Sequence, residues 1–477
     1  MPDSSRSTPV PYAENGSVAA ASLPSAAAQL VERLDTGRAT IGVVGLGYVG
    51  LPLAVEFADQ GFETLGIDLD ADRVGQLNAG ENYLDDLEDD TVRRLVDAQR
   101  LEGAMDFDQA AAVDVFFVCV PTPVTETNEP DTSYIQSAAE SIAESLRPGQ
   151  LIVLKSTTYP STTEEVVQPI LAEAAEAQGL ELGEDYFLAH SPERIDPGNE
   201  EYTTANTPVV VGGVTEAGTQ VAVRALEAIV NEVHAVSNPK VAEMEKLLEN
   251  IFRSVNIALV NELAQLCDRI GDVSMWEVVQ AAATKPFGYM PFYPGPGLGG
   301  HCIPIDPHYL SWLARKHDFE TSFITLSARI NEQMPFYVVR SVVEAIARRP
   351  VALPEAEVLV LGVAFKRNVD DTRHAPAATI IRLLREKGVA TVRYHDPHVE
   401  AFQAPGRDGD AAVDVPSVDL TPEALRQHDA VVIVTDHDAF DAHFIAEHAR
   451  SIVDTRNALE AVTDPDLREK ITLLGSS

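Results

Sequence analysis

Residues 40–50 read Thr-Ile-Gly-Val-Val-Gly-Leu-Gly-Tyr-Val-Gly. An apolar, β-type run breaks into Gly45-x-Gly47-x-x-Gly50, and Leu51 to Gln60 continues with helical spacing. Three glycines at that spacing are weak evidence alone. Here a strand precedes them, a helix follows, and a second strand, Thr64 to Ile67, ends at Asp68. That context defines a dinucleotide-binding fingerprint. Gly45 permits the tight turn, Gly47 lets a pyrophosphate approach the backbone, and Gly50 lets the helix pack on the strand. Tyr48 and Val49 complete the loop, and the helix N-terminus faces the phosphates. Asp68 accepts hydrogen bonds from a ribose 2′-hydroxyl, which favours NAD over NADP. Arg73 lies close enough to touch the same end of the cofactor.

Outward from this stretch the alternation continues. Val113–Val120, Leu151–Lys155, Tyr186–Ala189 and Val209–Val211 are strand-like, with helical patterns between them, as in a doubly wound parallel sheet. From Lys240 the pattern changes. Met244, Leu247, Leu248, Ile251, Val255, Leu259, Leu263, Leu266 and Ile270 form the stripe of one long amphipathic helix, capped at Gly271. Its apolar face suits a dimer seam. After Pro354 a second α/β pattern begins: strands at Val358–Val363, Thr391–Tyr394, Ala430–Thr435 and Ser451–Asp454, a helix at Ala377–Lys387, and a polar loop from Gly406 to Pro416. The expected architecture is therefore α/β: two Rossmann-like domains joined by a central helical domain. The expected divisions are a disordered tail at 1–38 with a helical stretch near Leu30–Leu34, a cofactor domain at 39–237, a helical domain at 238–335 and a second α/β domain at 336–477.

Composition narrows the class. The chain has 477 residues, a formal charge of −39 and 45% hydrophobic residues. That apolar content rules out global disorder, and the acidity argues against nucleic-acid binding. No stretch approaches the ~18 apolar residues of a membrane span. Three cysteines, Cys119, Cys267 and Cys302, make no disulfide framework and fit a reducing cytoplasm. Of 35 basic residues only 8 are Lys, and acidic residues are spread along the whole chain. In salt of about 1 M the Debye length is ~3 Å, so most self-repulsion is screened. The charge therefore predicts a cytosol of molar salt; an ordinary acidic enzyme is the alternative.

Several segments carry chemistry. Cys119-Val-Pro-Thr122-Pro and Lys155-Ser-Thr157-Thr place hydroxyls at strand ends lining one crevice, where Thr122 and Thr157 reach the cofactor. Cys119, in an apolar strand, reads as packed and inert. Ser191-Pro-Glu193-Arg sets a carboxylate beyond a strand as a general base or water-positioner. Lys246 and Asn250 share one face of the long helix. Tyr293-Pro-Gly295-Pro-Gly297-Leu-Gly299-Gly300-His-Cys302 brings a flexible backbone towards a ligand and then a thiol at a helix start, where it ionises more easily. Asp306, four residues on, holds a water or orients Lys246. Cys267 reads as packing, and His301 and His308 as structural. No Cys/His pairs stand at metal-ligand spacing, so no metal is expected.

Gly-Leu-Gly-Tyr-Val-Gly-Leu-Pro, Cys-Val-Pro-Thr-Pro, Lys-Ser-Thr, Ser-Pro-Glu-Arg, Glu-x-x-Lys-x-x-x-Asn, Gly-Gly-His-Cys and Gly-Val-Ala-Phe-Lys occur in that order. Together they resemble the UDP-glucose/GDP-mannose dehydrogenase family over residues 39–475. The resemblance implies NAD on the N-terminal domain, a UDP-sugar on the C-terminal one, and a homodimer or higher oligomer built on the central helices. It implies oxidation of the sugar's C6 alcohol to a carboxylate with two NAD⁺, through a thiohemiacetal and a thioester. Cys302 then matches the nucleophile, Lys246 and Asp306 the pair that stabilises the oxyanion and positions water, Glu193 the base, and Asn250 and Thr157 polar helpers. Lys366 matches the UDP-sugar-binding lysine and Arg373 an arginine reaching towards cofactor. Tyr293, Gly295 and Gly299 fall on the substrate side. Two departures stand out: Ile195-Asp196-Pro197-Gly198 where some members carry a second glutamate, and Lys285 where UDP-glucose enzymes carry arginine. The glycine loop resembles that of the UDP-N-acetylhexosamine enzymes, which implies UDP-N-acetylglucosamine first, UDP-N-acetylmannosamine next and UDP-glucose third. A non-catalytic nucleotide-sugar binder is the alternative of another class.

Overall fold

The computed structural model describes residues 23–84, 87–125, 129–194, 201–300, 302–406 and 411–476; the side chains of Asp89 and of 302–306 lie outside the description. The chain forms two compact units, Met1–Thr122 with Asp131–Met244, and Pro123–Pro130 with Glu245–Ser477.

The first unit is an eight-stranded sheet: β1 (Thr40–Val44), β2 (Glu63–Ile67), β3 (Leu101–Ala104), β4 (Val115–Val118), β5 (Leu151–Leu154), β6 (Phe187–His190), β7 (Val209–Gly213) and β8 (Val233–Ala235), in the order β3-β2-β1-β4-β5-β6-β7-β8. β1 pairs in parallel with both β2 and β4, so the order reverses at its carboxyl end, where open α/β sheets bind ligands. The central strands are buried on both faces, which is why they read as unbroken apolar runs. β7 breaks the expected parallel pattern by running antiparallel to β6.

The segment read as a tail to residue 38 contains a helix, Ser25–Asp35, whose Ala27, Leu30 and Leu34 are buried in the same core as the helices Gly50–Asp59 and Glu216–Glu227. The helix contains the stretch expected near Leu30–Leu34 but is longer and packed, its three apolar residues at helical spacing supplying the burial; residues 1–22 lie outside the described residues.

The second unit carries most of the helix Pro239–Ile270, then helices Met275–Ala283, Cys302–Lys316 and Ser322–Ala347. Next come β9 (Glu357–Leu361), β10 (Thr391–His395), β11 (Gln403–Ala404), β12 (Val413–Asp414), β13 (Ala430–Ile433), β14 (Ile452–Asp454) and β15 (Ile471–Leu473). Five of these form a parallel sheet in the order β10-β9-β13-β14-β15. The boundary expected between residues 335 and 336 falls inside the helix Ser322–Ala347. Its Met334, Val338, Val342 and Ile346 share a core with Val358, Val360 and Val432 of the sheet, so helix and sheet pack as one body. The expected polar loop 406–416 includes β12, paired with β11, while residues 407–410 lie outside the described residues.

Candidate active site

The three fingerprint glycines do three different jobs. Gly45 has φ +92°, and a Cβ on it would stand 2.7 Å from the Cys119 carbonyl oxygen. A Cβ on Gly50 would lie 1.7 Å from the Gly45 carbonyl oxygen, so glycine is what lets helix meet loop. A Cβ on Gly47 would meet nothing within 4 Å. The helix beginning at Gly50 has no side-chain cap from Val49; the Leu51 and Leu53 amides bond to the Gly47 and Val49 carbonyls and Pro52 has no N–H, so the amide of Gly50 is the one turned to an anion. Tyr48 is exposed on the lip. Asp68, closing β2, accepts from the Leu46 amide at 2.7 Å and the Asp70 amide at 2.9 Å, with Arg73 Nη1 3.5 Å from Oδ2. Open space over Gly47, a helix start turned to the glycine turn and an ordered carboxylate closing β2 fit a dinucleotide.

Along the same sheet edge, Ser156 Oγ donates to the carbonyls of Val118 and Val120, tying the ends of β4 and β5 together. Thr157 and Thr122 are half-buried beside it. Glu193, expected as a general base or water-positioner, has both oxygens engaged. Oε1 accepts from the Arg194 amide at 2.7 Å, and Oε2 lies 3.1 Å from the ammonium of Lys155, a side chain only 2% exposed. Burial pushes the Cys119 thiol up to about 12, which keeps it protonated, as its apolar strand suggested. Sequence reasoning also missed Glu243, whose carboxylate accepts from the amides of Ser161 and Thr163 and from the Thr163 hydroxyl. Its signal was a glutamate on the buried face of an amphipathic helix.

In the second unit, Lys246 is 9% and Asn250 3% exposed, one turn apart on the long helix. A solvated surface lysine is thereby excluded. Deeper along that helix Asn261 accepts from the Gly295 amide at 2.9 Å and donates to Asn331, which in turn donates to the Ser254 carbonyl. This buried amide ladder fixes the start of the glycine loop. The loop's glycines yield space to the chain itself: a Cβ on Gly295 would meet Arg456 at 2.8 Å, and one on Gly299 would meet Phe365 Cβ at 2.7 Å. Gly300, at φ +83°, donates its amide to the Arg373 carbonyl. The loop is thus clamped against the segment that follows β9, which carries half-buried Lys366. Tyr293 stacks on Trp276 with ring centres 5.4 Å apart, and Cys267 packs in a small core with Val260 and Met275.

The Arg373 side chain makes a two-pronged pair with Asp371. Arg456, unmentioned by the sequence reading, donates Nε to the Val434 carbonyl, and burial lowers its pKa. Its signal was position alone, two residues past β14. The helix Cys302–Lys316 starts directly after the loop. His301, the side chains of Cys302 and Asp306, and the stretch Ile195 to Gly198 lie outside the described residues.

A dinucleotide fingerprint thus stands on one parallel-centred sheet, and a glycine loop packs against a second, parallel one. Three domain models of one family match the chain in order: the NAD-binding domain at residues 39–234, the central domain at 240–333 and the UDP-binding domain at 359–461. The chain belongs to the UDP-glucose/GDP-mannose dehydrogenase family. It is 36% identical over 401 residues to a UDP-N-acetyl-D-glucosamine 6-dehydrogenase of Pseudomonas aeruginosa, covering 84% of this chain and 91% of that one. A UDP-N-acetyl-D-mannosamine dehydrogenase of Methanococcus maripaludis is 32% identical over 449 residues, 91% and 97% of the two chains. The solved structure of a UDP-D-ManNAc dehydrogenase from Pyrococcus horikoshii superposes with TM-score 0.80 at 31% identity, covering 91% and 99%.

Proposed function

We propose that the protein oxidises C6 of UDP-N-acetylglucosamine to the carboxylate in a four-electron reaction. The observation that carries this reading is the burial of Lys246 and Asn250 on one helical face. A desolvated ammonium is poor value for stability and well suited to an incipient oxyanion. The glycine-loop motif and the 36% relative favour the gluco sugar, and the 32% relative favours the manno one.

Bound NAD⁺ supplies the hydride acceptor for each oxidation. Gly47 and the amide of Gly50 hold its diphosphate, and Asp68 its ribose, with Tyr48, Val49, Arg73 and Thr122 around them; Arg373 reaches towards a cofactor, its own or the partner subunit's. Cys302 holds the aldehyde carbon covalently, as thiohemiacetal and then thioester. Lys246 stabilises the oxyanion, and with Asp306 it places the water that releases the acid. Glu193, Asn250 and Thr157 orient that water and the sugar hydroxyls. Lys366, Tyr293 and the backbone at Gly295 and Gly299 take the UDP-sugar. The enzyme works in the cytoplasm as a homodimer or larger, and the −39 charge adapts it to molar salt.

The test supplies UDP-GlcNAc, UDP-ManNAc and UDP-glucose separately in 0.1 to 3 M KCl, on the order of the salt where screening is complete, and records NADH. Fastest turnover on UDP-GlcNAc, two NADH per acid and activity rising with salt are expected. Cys302→Ser abolishes net acid formation. One NADH per sugar, or an active serine variant, overturns the covalent reading.

A further inference from the structure

We propose that Lys155 is a positioning residue for Glu193, holding its carboxylate ionised and fixed in direction so that it orients the water that releases the acid. The proposal rests on the four-electron reading above.

The two residues stand at the ends of neighbouring strands. β5 and β6 pair with Leu154 opposite His190; Lys155 follows the first and Glu193 the second. Lys155 Nζ lies 3.1 Å from Glu193 Oε2 and 3.4 Å from the Pro192 carbonyl oxygen, to which it donates. The Arg194 amide holds Oε1. With a contact on each oxygen the carboxylate cannot rotate freely. Lys155 is 2% exposed and Glu193 14%, so the ammonium is enclosed and the carboxylate edge is the part that opens outward.

Two further neighbours of Lys155 carry no charge. Cys119 lies at the end of β4, and burial pushes its thiol up to about 12. His190 on β6 is fully buried, and burial together with the Lys155 charge pushes it down to about 3, so the imidazole is neutral. Arg194 turns a guanidinium nitrogen to the Pro208 carbonyl at 2.8 Å.

Stability does not account for this cluster. Desolvating an ammonium offsets most of what its pairing returns, and apolar residues would pack the site as well. Both ring nitrogens of His190 and the Ser191 hydroxyl are buried with no hydrogen-bond partner among the described residues. Unsatisfied polar groups beside a buried ion pair, at the sheet edge where the cofactor domain binds its ligand, mark a site built for chemistry.

The experiment compares Lys155→Met, Glu193→Gln and the double variant in pH–rate profiles of acid formation. Lys155→Met is expected to lower kcat by ~10–100-fold with KM for both substrates little changed. Losing the cation raises the carboxylate pKa, so the acid limb of the profile moves to higher pH by about one unit. A purely structural role would lower the melting temperature and leave the limb in place. An unmoved limb, with Glu193→Gln inactive, overturns the proposal alone; a Glu193→Gln variant with ordinary turnover overturns the role of Glu193 itself. The double variant leaves no unpaired buried charge, and it guards against misfolding of the single one. Adding Lys155→Met to Glu193→Gln is expected to cost no further activity, and a further tenfold loss, on the order of the single variant's, refutes the coupling.

Discussion

The Leu46 amide donates a 2.7 Å hydrogen bond to Asp68 Oδ2, so the carboxylate that closes β2 also ties down the first turn of the glycine loop. The second sheet repeats the connection, with the Val363 amide 2.7 Å from Asp396 Oδ2 at the end of β10. There the carboxylate is enclosed and further held by His437, whereas Asp68 has the part-exposed Arg73 beside it. Asp68→Ala is expected to weaken NAD⁺ binding by about 1.5–3 kcal/mol, the worth of a charged hydrogen bond. It also releases Arg73 to a 2′-phosphate. The ratio of kcat/KM for NADP⁺ over NAD⁺ therefore rises, and an unchanged ratio counts against this role of Asp68.

Glycines that look alike in sequence are expected to respond differently to alanine. Gly47→Ala meets open space, so thermal melting stays near wild type while KM for NAD⁺ rises. Gly50→Ala drives a methyl into the Gly45 carbonyl and costs about 3 kcal/mol or more. Gly299→Ala, against Phe365, costs ~1–3 kcal/mol. Calorimetry of the three variants checks the order.

His190 sets a pH dependence of stability. Its folded pKa, about 3, lies below its ordinary 6.5 because of burial and the nearby Lys155 charge. As pH falls below 6.5 the unfolded chain takes a proton that the folded chain refuses, so stability declines until pH nears 3, by about 1.4 kcal/mol per unit. Asp396 acts in another window. Burial alone would raise it, but hydrogen bonds from His437, Val363 and His398 bring it to about 2. Its contribution is therefore complete above 3.8 and is lost only as pH falls towards 2. Urea unfolding at pH 7 and 5 is expected to show wild type losing about 2 kcal/mol more than His190→Leu; equal losses refute the assignment.

The long helix keeps apolar side chains in the open. Leu248 is 61%, Leu259 53%, Leu266 47% and Ile270 63% exposed, a stripe too continuous for a solvated face. A second copy of the chain is its expected cover. Leu259→Asp with Leu266→Asp should convert a dimer to a monomer in light scattering, and a monomeric wild type would show that the stripe has another purpose.

What the sequence determined by itself was local. Periodicity set the long helix to within a residue or two, Pro239–Ile270 against an expected start near Lys240 and end at Gly271. Strand runs such as Leu151–Lys155 and Ala430–Thr435 matched β5 and β13 because buried parallel strands must be apolar on both faces. Glycine spacing, with Asp68 at the next strand's end, carried the cofactor domain. What only the tertiary structure decided was which groups meet across distance. Lys155 and Glu193 are 38 positions apart in different motifs, and Arg456 reaches Gly295 from the far end of the chain. The glycine loop was legible as flexible but not as clamped, since a missing Cβ reads the same whether a ligand or the chain's own Phe365 fills the space. Propensity acts over a few residues, whereas an ion pair or a close approach depends on strand order, and strand order is fixed by how two faces of a sheet are buried.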